Sequence, residues 1–177
     1  MEILIIIGVI IVLCVANFID KREANKKETN KHNAELFIIA NHIAGLPLGE
    51  QSQCKIFLCN EKIIIENVKT KAIYNLYMEK ILDINIKSEE EIQNNYTSSL
   101  GGAIGGAVLF GPLGAMIGGR TKKKVDKISH LYLIFTYNNK KENKTDYISF
   151  DVTNNFKAHK FVEHFSKNCK KNTVTDL

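Results

Sequence analysis

At 177 residues, 45% of them hydrophobic and 24% charged, the chain is long enough for one ordinary domain with a real core and too apolar to be disordered throughout. A formal charge of +5 excludes a strongly basic nucleic-acid binder, and the basic residues are not interleaved with stacking aromatics as a DNA or RNA surface requires. Lys and Arg gather instead after the first hydrophobic run, after a glycine-rich run and along the last segment, a distribution that suits anionic lipid headgroups.

The first feature in the chain is an uncharged stretch from Ile3 to Ile19, ILIIIGVIIVLCVANFI. At ~1.5 Å per residue a helix of this length covers roughly 26 Å, close to the ~30 Å hydrocarbon core of a bilayer. About a dozen Ile, Leu, Val and Phe contribute about −6 kcal/mol to insertion, ample to offset Asn17 and Gly8. The start Met1-Glu2 lacks the basic region of a signal peptide, and bulky residues close the run where a cleavage site would need small ones. Leu13 before Cys14 speaks against lipidation. Residues 1–20 are therefore expected to be a single transmembrane anchor. The first positive charges, Lys21 and Arg22, follow the run, so the charge rule places the N-terminus outside and the remainder in the cytoplasm.

Residues 21–45 are expected to comprise a juxtamembrane linker, helical or not, and a short helix. The helix rests on Leu36, Ile39, Ala40 and Ile43 at helical spacing, with Asn33 as its cap and Gly45 as its stop. Leu46-Pro47-Leu48-Gly49 then breaks to an extended segment. Strand signals follow in quick succession: QCKIFLC (53–59) turns at Asn60-Glu61 into KIIIE (62–66), and AIYNLY (72–77) follows. In KILDINIK (80–87), Ile81, Asp83 and Asn85 alternate with Leu82, Ile84 and Ile86. Ser88-Glu89-Glu90-Glu91 reads as a helix start with a capping box. Beyond the glycine-rich region, HLYLIFTY (130–137) and DYISF (146–150) complete the strands. A helix near 154–169 places Phe156, His159, Phe161, Val162 and Phe165 broadly on one face and Lys157, Lys160, Lys167 and Lys170 on the other.

Several antiparallel strands closed by one amphipathic helix make an α+β pattern, a small β-barrel or sandwich with a capping helix. This order resembles the bacterial pleckstrin-homology-like (PH-like, GRAM-like) domains. The resemblance rests on Cys54–Glu66 as a hairpin, Tyr74-Asn75-Leu76 leading into Lys80-Ile81-Leu82-Asp83-Ile84, and a final strand pair feeding a C-terminal helix. It covers residues 46–170, with 171–177 as a tail, and finds only six strands where the fold has seven. Some Gram-positive and phage relatives carry a Gly-Ala-x-x-Gly-Gly insertion before the last strands. The resemblance implies a binding or scaffolding module near membranes and transfers no active site.

The insertion spans residues 98–124. Residues 100–119, LGGAIGGAVLFGPLGAMIGG, are uncharged and precede Arg120, Lys122, Lys123 and Lys124. Gly101/Gly105, Gly102/Gly106 and Gly114/Gly118 are small-xxx-small pairs, the spacing that lets two helices approach closely. Gly111-Pro112 at the centre opposes a straight span, and a single crossing would carry the basic cluster to the wrong side. Three arrangements stand: a hairpin dipping into one leaflet, a helical hairpin packed on the β domain or on a second copy, and a true second span. Lys21 and Arg22 at the membrane edge, and Arg120 with Lys122, Lys123 and Lys124, are the candidate headgroup contacts.

Catalytic equipment is not recognisable. The segment Gly114 to Thr121 approaches a phosphate-binding loop, but Arg120 stands where that loop needs Lys and no strand precedes it. His32, His42, His130, His159 and His164 show no metal-ligand spacing, and the 4 cysteines form no Cys-x-x-Cys pair. Cys54 and Cys59, five apart in one strand, are expected on opposite faces. No cofactor, metal or enzymatic activity is expected. The sequence suggests a membrane-anchored binding module whose partners are membrane lipid and an unidentified protein. A second reading is a homo-oligomer whose glycine-rich hairpins assemble in or on the bilayer.

Overall fold

The computed structural model describes residues 2–92, 130–139 and 144–168; the side chains of residues 2–5, 8, 9 and 21 lie outside this description. A 30-residue helix, α1 (Glu2–Lys31), leads into seven strands. These are β1 (Leu36–Ala44), β2 (Gln53–Leu58), β3 (Lys62–Asn67), β4 (Ile73–Tyr77), β5 (Ile81–Ser88), β6 (Leu131–Asn139) and β7 (Lys144–Asp151). Helix α2 (His159–Asn168) closes the described chain. All seven strands form one antiparallel sheet in the order β4-β3-β2-β1-β7-β6-β5. The expected α+β class and its antiparallel β domain are therefore present.

One face of the sheet carries the main core. Ile38, Ala40, Ile56, Leu58, Ile63, Ile65 and Leu76 from β1–β4 meet Ile81, Ile84, Leu133, Phe135, Ile148 and Phe150 from β5–β7 in a single cluster. Residues from opposite ends of the strand order can share a core only because the sheet coils on itself. Phe161 and Phe165 of α2 fill the space, with Phe161 set edge-on to Phe135 at 6.1 Å between ring centroids. His164 Nδ1, 3.1 Å from Glu35 Oε2, ties α2 to the chain just before β1. Cys54 lies in this core and Cys59 on the other face, as their spacing predicts.

The segment Leu36–Ile43 is a strand and not the expected helix. Its helical spacing is a coincidence of plain alternation with apolar residues on both faces: Leu36, Ile38 and Ala40 lie on the core side, and Ile39 and Ile43 point the other way. Ile43 packs on the opposite face with Ile92, Tyr132 and Ile134, beside a register shift between His42 and Ala44 in the β1–β7 pairing. This strand supplies the seventh that the sequence reading lacks. Asn33 also changes role. With φ +51° it ends α1, while Ala34 N–H donates to Thr29 O at 2.9 Å and Asn33 N–H to Asn30 O at 3.2 Å. Those paired bonds are a Schellman C-cap, for which Asn tolerates the left-handed conformation.

Two smaller corrections concern side-chain direction. A register shift between Ile81 and Asp83 turns Leu82 outward, leaving it 54% exposed while Ile81 and Ile84 are both buried. In the C-terminal helical segment Phe161 and Phe165 are buried, whereas His159 is exposed and Phe156 lies 88% exposed in a short 3₁₀ turn ahead of α2. The capping box is present, with Ser88 N–H donating to Glu91 Oε2 at 2.7 Å and Glu91 N–H to Ser88 Oγ at 3.2 Å. Among the described residues no helix is long and apolar enough to cross a membrane; the Ile3–Ile19 run counts side chains at 3–5, 8 and 9 that lie outside them. The insertion 98–124 falls between β5 and β6, outside the described residues, as does the tail.

Candidate functional site

The polar segment that follows the hydrophobic run is no free linker. It continues α1, and its last turns lie on the sheet face opposite the core. Glu28 meets Lys55 of β2 at 2.8 Å, and Lys31 meets Glu66 of β3 at 3.3 Å. Asn25 shares a groove with Phe37, Ile38 and Ile39 of β1. Ile39, Lys55 and Glu66 are register partners in adjacent strands. Steps of three residues along the helix, ~4.5 Å each, thus match the strand spacing of ~4.8 Å, and the helix end crosses the strands at a steep angle. His32 completes the dock: its ring lies 4.4 Å from that of Phe57 between centroids, and its carbonyl accepts from Cys59 Sγ at 3.5 Å.

Glu66 is the electrostatic centre of this dock. Its side chain is only 5% exposed and faces Lys31 at 3.3 Å, His32 at 3.6 Å and Lys71 at 3.8 Å. Burial alone would push its carboxyl up, but the Lys31 hydrogen bond and the charges of Lys31, Lys55 and Lys71 outweigh it and hold it below the usual range. A buried carboxylate held by this many cations stays ionised at neutral pH and fixes the helix end in one place.

A second feature is an open cavity of about 520 Å³ between the β1–β2 and β3–β4 loops. Pro47, Leu48, Gln51 and Ser52 form one wall, and Asn67 to Thr70 the other. Asn67 Oδ1 accepts from the Lys69 and Thr70 N–H groups at 2.9 and 2.8 Å, which folds the second wall into an Asx turn. His42 braces the first wall: its Nε2 accepts from Leu46 N–H at 3.2 Å while Nδ1 faces Gly49 O at 3.4 Å. Burial depresses the His42 pKa, with hydrogen bonds to Gly49 and Ala44 and the Glu50 charge opposing, so the ring is neutral and can accept and donate as this geometry asks. Lys69 is the only charged residue among those lining the cavity, a sparse provision for a multiply charged ligand.

A hydroxyl, a carboxylate and an imidazole also meet at Thr153, Asp151 and His130. Thr153 Oγ1 donates to Asp151 Oδ1 at 2.6 Å, and His130 Nδ1 faces Asp151 Oδ2 at 3.2 Å. His130 Nδ1 also lies 3.4 Å from Thr153 Oγ1, but the short bond aims the hydroxyl proton at Asp151, and Thr153 Oγ1 itself accepts from Leu131 N–H at 3.1 Å. The trio fastens the start of β6 to the end of β7. Burial pushes the Cys54 thiol up to about 11 and raises Cys59 as well, so neither is a thiolate near neutral pH. Among the described residues no group of three His, Cys, Asp or Glu could hold a metal ion.

Of the residues expected at headgroups, Lys21 and Arg22 lie within α1, where the Arg22 guanidinium sits over the Phe18 ring at 4.7 Å. Arg120, Lys122, Lys123 and Lys124 fall outside the described residues, as do the helix-packing glycines Gly101, Gly102, Gly105, Gly106, Gly114 and Gly118. The sequence reading missed Glu66, His42 and Phe156. Glu66 had one visible signal, a lone acid ending an Ile run downstream of a Lys-rich segment.

Two comparisons complete the picture. Among curated proteins, none matches the chain significantly. The profile of the family described as "Glycine zipper containing PH domain" matches residues 21–151, which takes in the docked end of α1, all seven strands and the glycine-rich insertion. With a sheet of PH order closed by a C-terminal helix, the chain belongs to the family of PH domains that contain a glycine zipper.

Proposed function

We propose that this protein is a membrane-anchored, non-enzymatic binding module. The N-terminal half of α1 inserts in a bilayer, and the PH domain stands at the cytoplasmic face, presented to lipid or to a protein partner. The observation that carries this reading is the contrast within α1. Ile6, Ile7, Ile10, Ile11, Val12, Leu13, Val15, Phe18 and Ile19 are each between 47% and 67% exposed, whereas the far end of the same helix is docked by ion pairs. So long an exposed apolar surface on a folded chain calls for a covering, and an uncharged run of this length suits lipid. The charge rule favours the orientation with Lys21 and Arg22 inside, and the headgroup role of Arg120, Lys122, Lys123 and Lys124 belongs to the same proposal.

Membrane fractionation of a variant lacking residues 2–20 tests it. The truncated chain should move from the membrane pellet to the high-salt supernatant. Retention in the pellet through the wash would show that the apolar half of α1 is not the anchor, and would move the glycine-rich segment to that role. The family's glycine zipper favours a second reading, in which copies associate through that segment. Gly105→Leu or Gly114→Leu should then abolish a cross-linkable oligomer while leaving the sheet folded, and a monomeric wild type in mild detergent would dismiss it.

A further inference from the structure

Phe156 is the most exposed large apolar side chain among the described residues, 88% open to solvent. Asn155 fixes the turn from both sides: its side-chain N–H donates to Ile39 O at 3.1 Å, and its side-chain oxygen accepts from Lys157 N–H at 3.2 Å. The next residue, Ala158, is wholly buried. Phe156 is thus pushed outward between two anchored neighbours, at the point where α1 leaves the sheet. Phe156 and Lys157 form one wall of a groove of about 510 Å³, Asn25 of α1 the other, and Phe37 to Ile39 the floor.

The helix serves as a ruler for what this turn meets. From Asn25 back to Ile19, where the apolar run ends, is a rise of ~9 Å. The headgroup layer on each side of a bilayer is roughly 5–8 Å deep. With the apolar half of α1 in the hydrocarbon, the 155–157 turn therefore stands at the outer edge of the headgroups. Charge agrees with position. Lys157 and Lys160 are exposed beside Phe156, and on the stretch of α1 that leads to the same place the exposed Arg22, Lys26 and Lys27 outnumber the exposed Asp20 and Glu23. An exposed aromatic among lysines is the chemistry of an interfacial contact with anionic lipid.

We propose that the Phe156–Lys157 turn is a second membrane contact, a foot that seats the PH domain on an anionic headgroup layer beside its anchor. The inference rests on the anchoring reading above and adds a defined face of the domain to it. The Phe37–Ile39 stretch of β1 and the turn ahead of α2 then face the lipid.

The chain contains no tryptophan, so a single introduced one reports its own surroundings. Full-length Phe156→Trp and, separately, Phe18→Trp would be reconstituted in phosphatidylglycerol–phosphatidylcholine vesicles, with and without bromine on the upper acyl chain. Both tryptophans should be quenched by the brominated lipid, and the emission of Phe156→Trp should shift blue relative to its value in lipid-free detergent-diluted protein. Adding Lys157→Gln and Lys160→Gln should reduce the quenching at position 156 and leave that at position 18 unchanged. Quenching at 18 without quenching at 156 overturns the foot and leaves the anchor standing. No quenching at either position overturns both. A blue shift at 156 without quenching shows a ring covered by protein, and also overturns the proposal.

Discussion

The dock between α1 and the sheet can be broken at one atom pair with little change of shape, by Glu66→Gln. The lost charge faces Lys31 at 3.3 Å, His32 at 3.6 Å and Lys71 at 3.8 Å. Lys31 and Lys71 are 57% and 67% exposed, so water recovers most of their charge when the partner goes, and each pair alone contributes ~1 kcal/mol or less. The hydrogen bond to the buried carboxylate contributes more, and Gln retains part of it. The expected cost is about 1–2 kcal/mol, concentrated at the dock. Amide hydrogen exchange of the full chain in detergent reads it directly, because residues 28–34 should lose protection before the β2–β3 hairpin does. A double-mutant cycle with Lys31→Met should give a coupling of about 0.5–1 kcal/mol. Unchanged exchange at 28–34 together with strict additivity would refute the argument that Glu66 fixes the helix end. The pH dependence supplies a second reading. The Glu66 pKa is lowered on folding, so its stabilisation is present above the unfolded carboxylate pKa and is lost as pH falls through the folded value. Glu66→Gln should lack that acid limb.

Other perturbations test other joints. Gly45 has φ +97°, and a Cβ there would overlap the Tyr147 carbonyl and lie 2.7 Å from Ile148 Cα. Gly45→Ala should therefore cost ~3 kcal/mol or more in urea unfolding, or prevent folding, with the β1–β7 seam opening first. At Asn33 the left-handed conformation decides the outcome: Asn33→Gly should be nearly neutral, while Asn33→Val should lose about 1–2 kcal/mol. The His42 pKa is lowered from 6.5, so the native state prefers the neutral ring and stability should fall as pH drops below 6.5 through the folded value. His42→Gln should flatten that slope, and a slope of equal size in both proteins would remove His42 from the account.

How much of this was legible depended on whether a strand shows one face or two. β2, β3, β4, β6 and β7 were readable because β-branched and aromatic runs sit between plain turn signals. β1 was not, because a central strand carries apolar residues on both faces, and Leu36 and Ala40 on one with Ile39 and Ile43 on the other mimic helical spacing. Asn33 and Gly45 then looked like the two ends of that helix, when one ends α1 and the other abuts β7. The dock was equally hidden: Glu28, Lys31 and His32 read as a solvated stretch, since nothing local shows that Lys55 and Glu66 wait on the far side of a sheet. Periodicity places Phe156 on one helix face with Phe161 and Phe165, and it cannot see that a 3₁₀ turn shifts the phase of Phe156 relative to Phe161.

The continuity of α1 has a consequence in rotation. A helix turns by ~100° per residue, and no break separates its apolar half from the end clamped by Glu66. Whatever sets the azimuth of the first half, whether lipid or a neighbouring helix, sets the compass bearing of the whole β domain. Inserting one alanine after Asn25 would swing the domain by about a quarter turn and lift it by only ~1.5 Å. The protein therefore behaves less like a head on a tether than like a key on its shaft, where a change in twist matters more than a change in length.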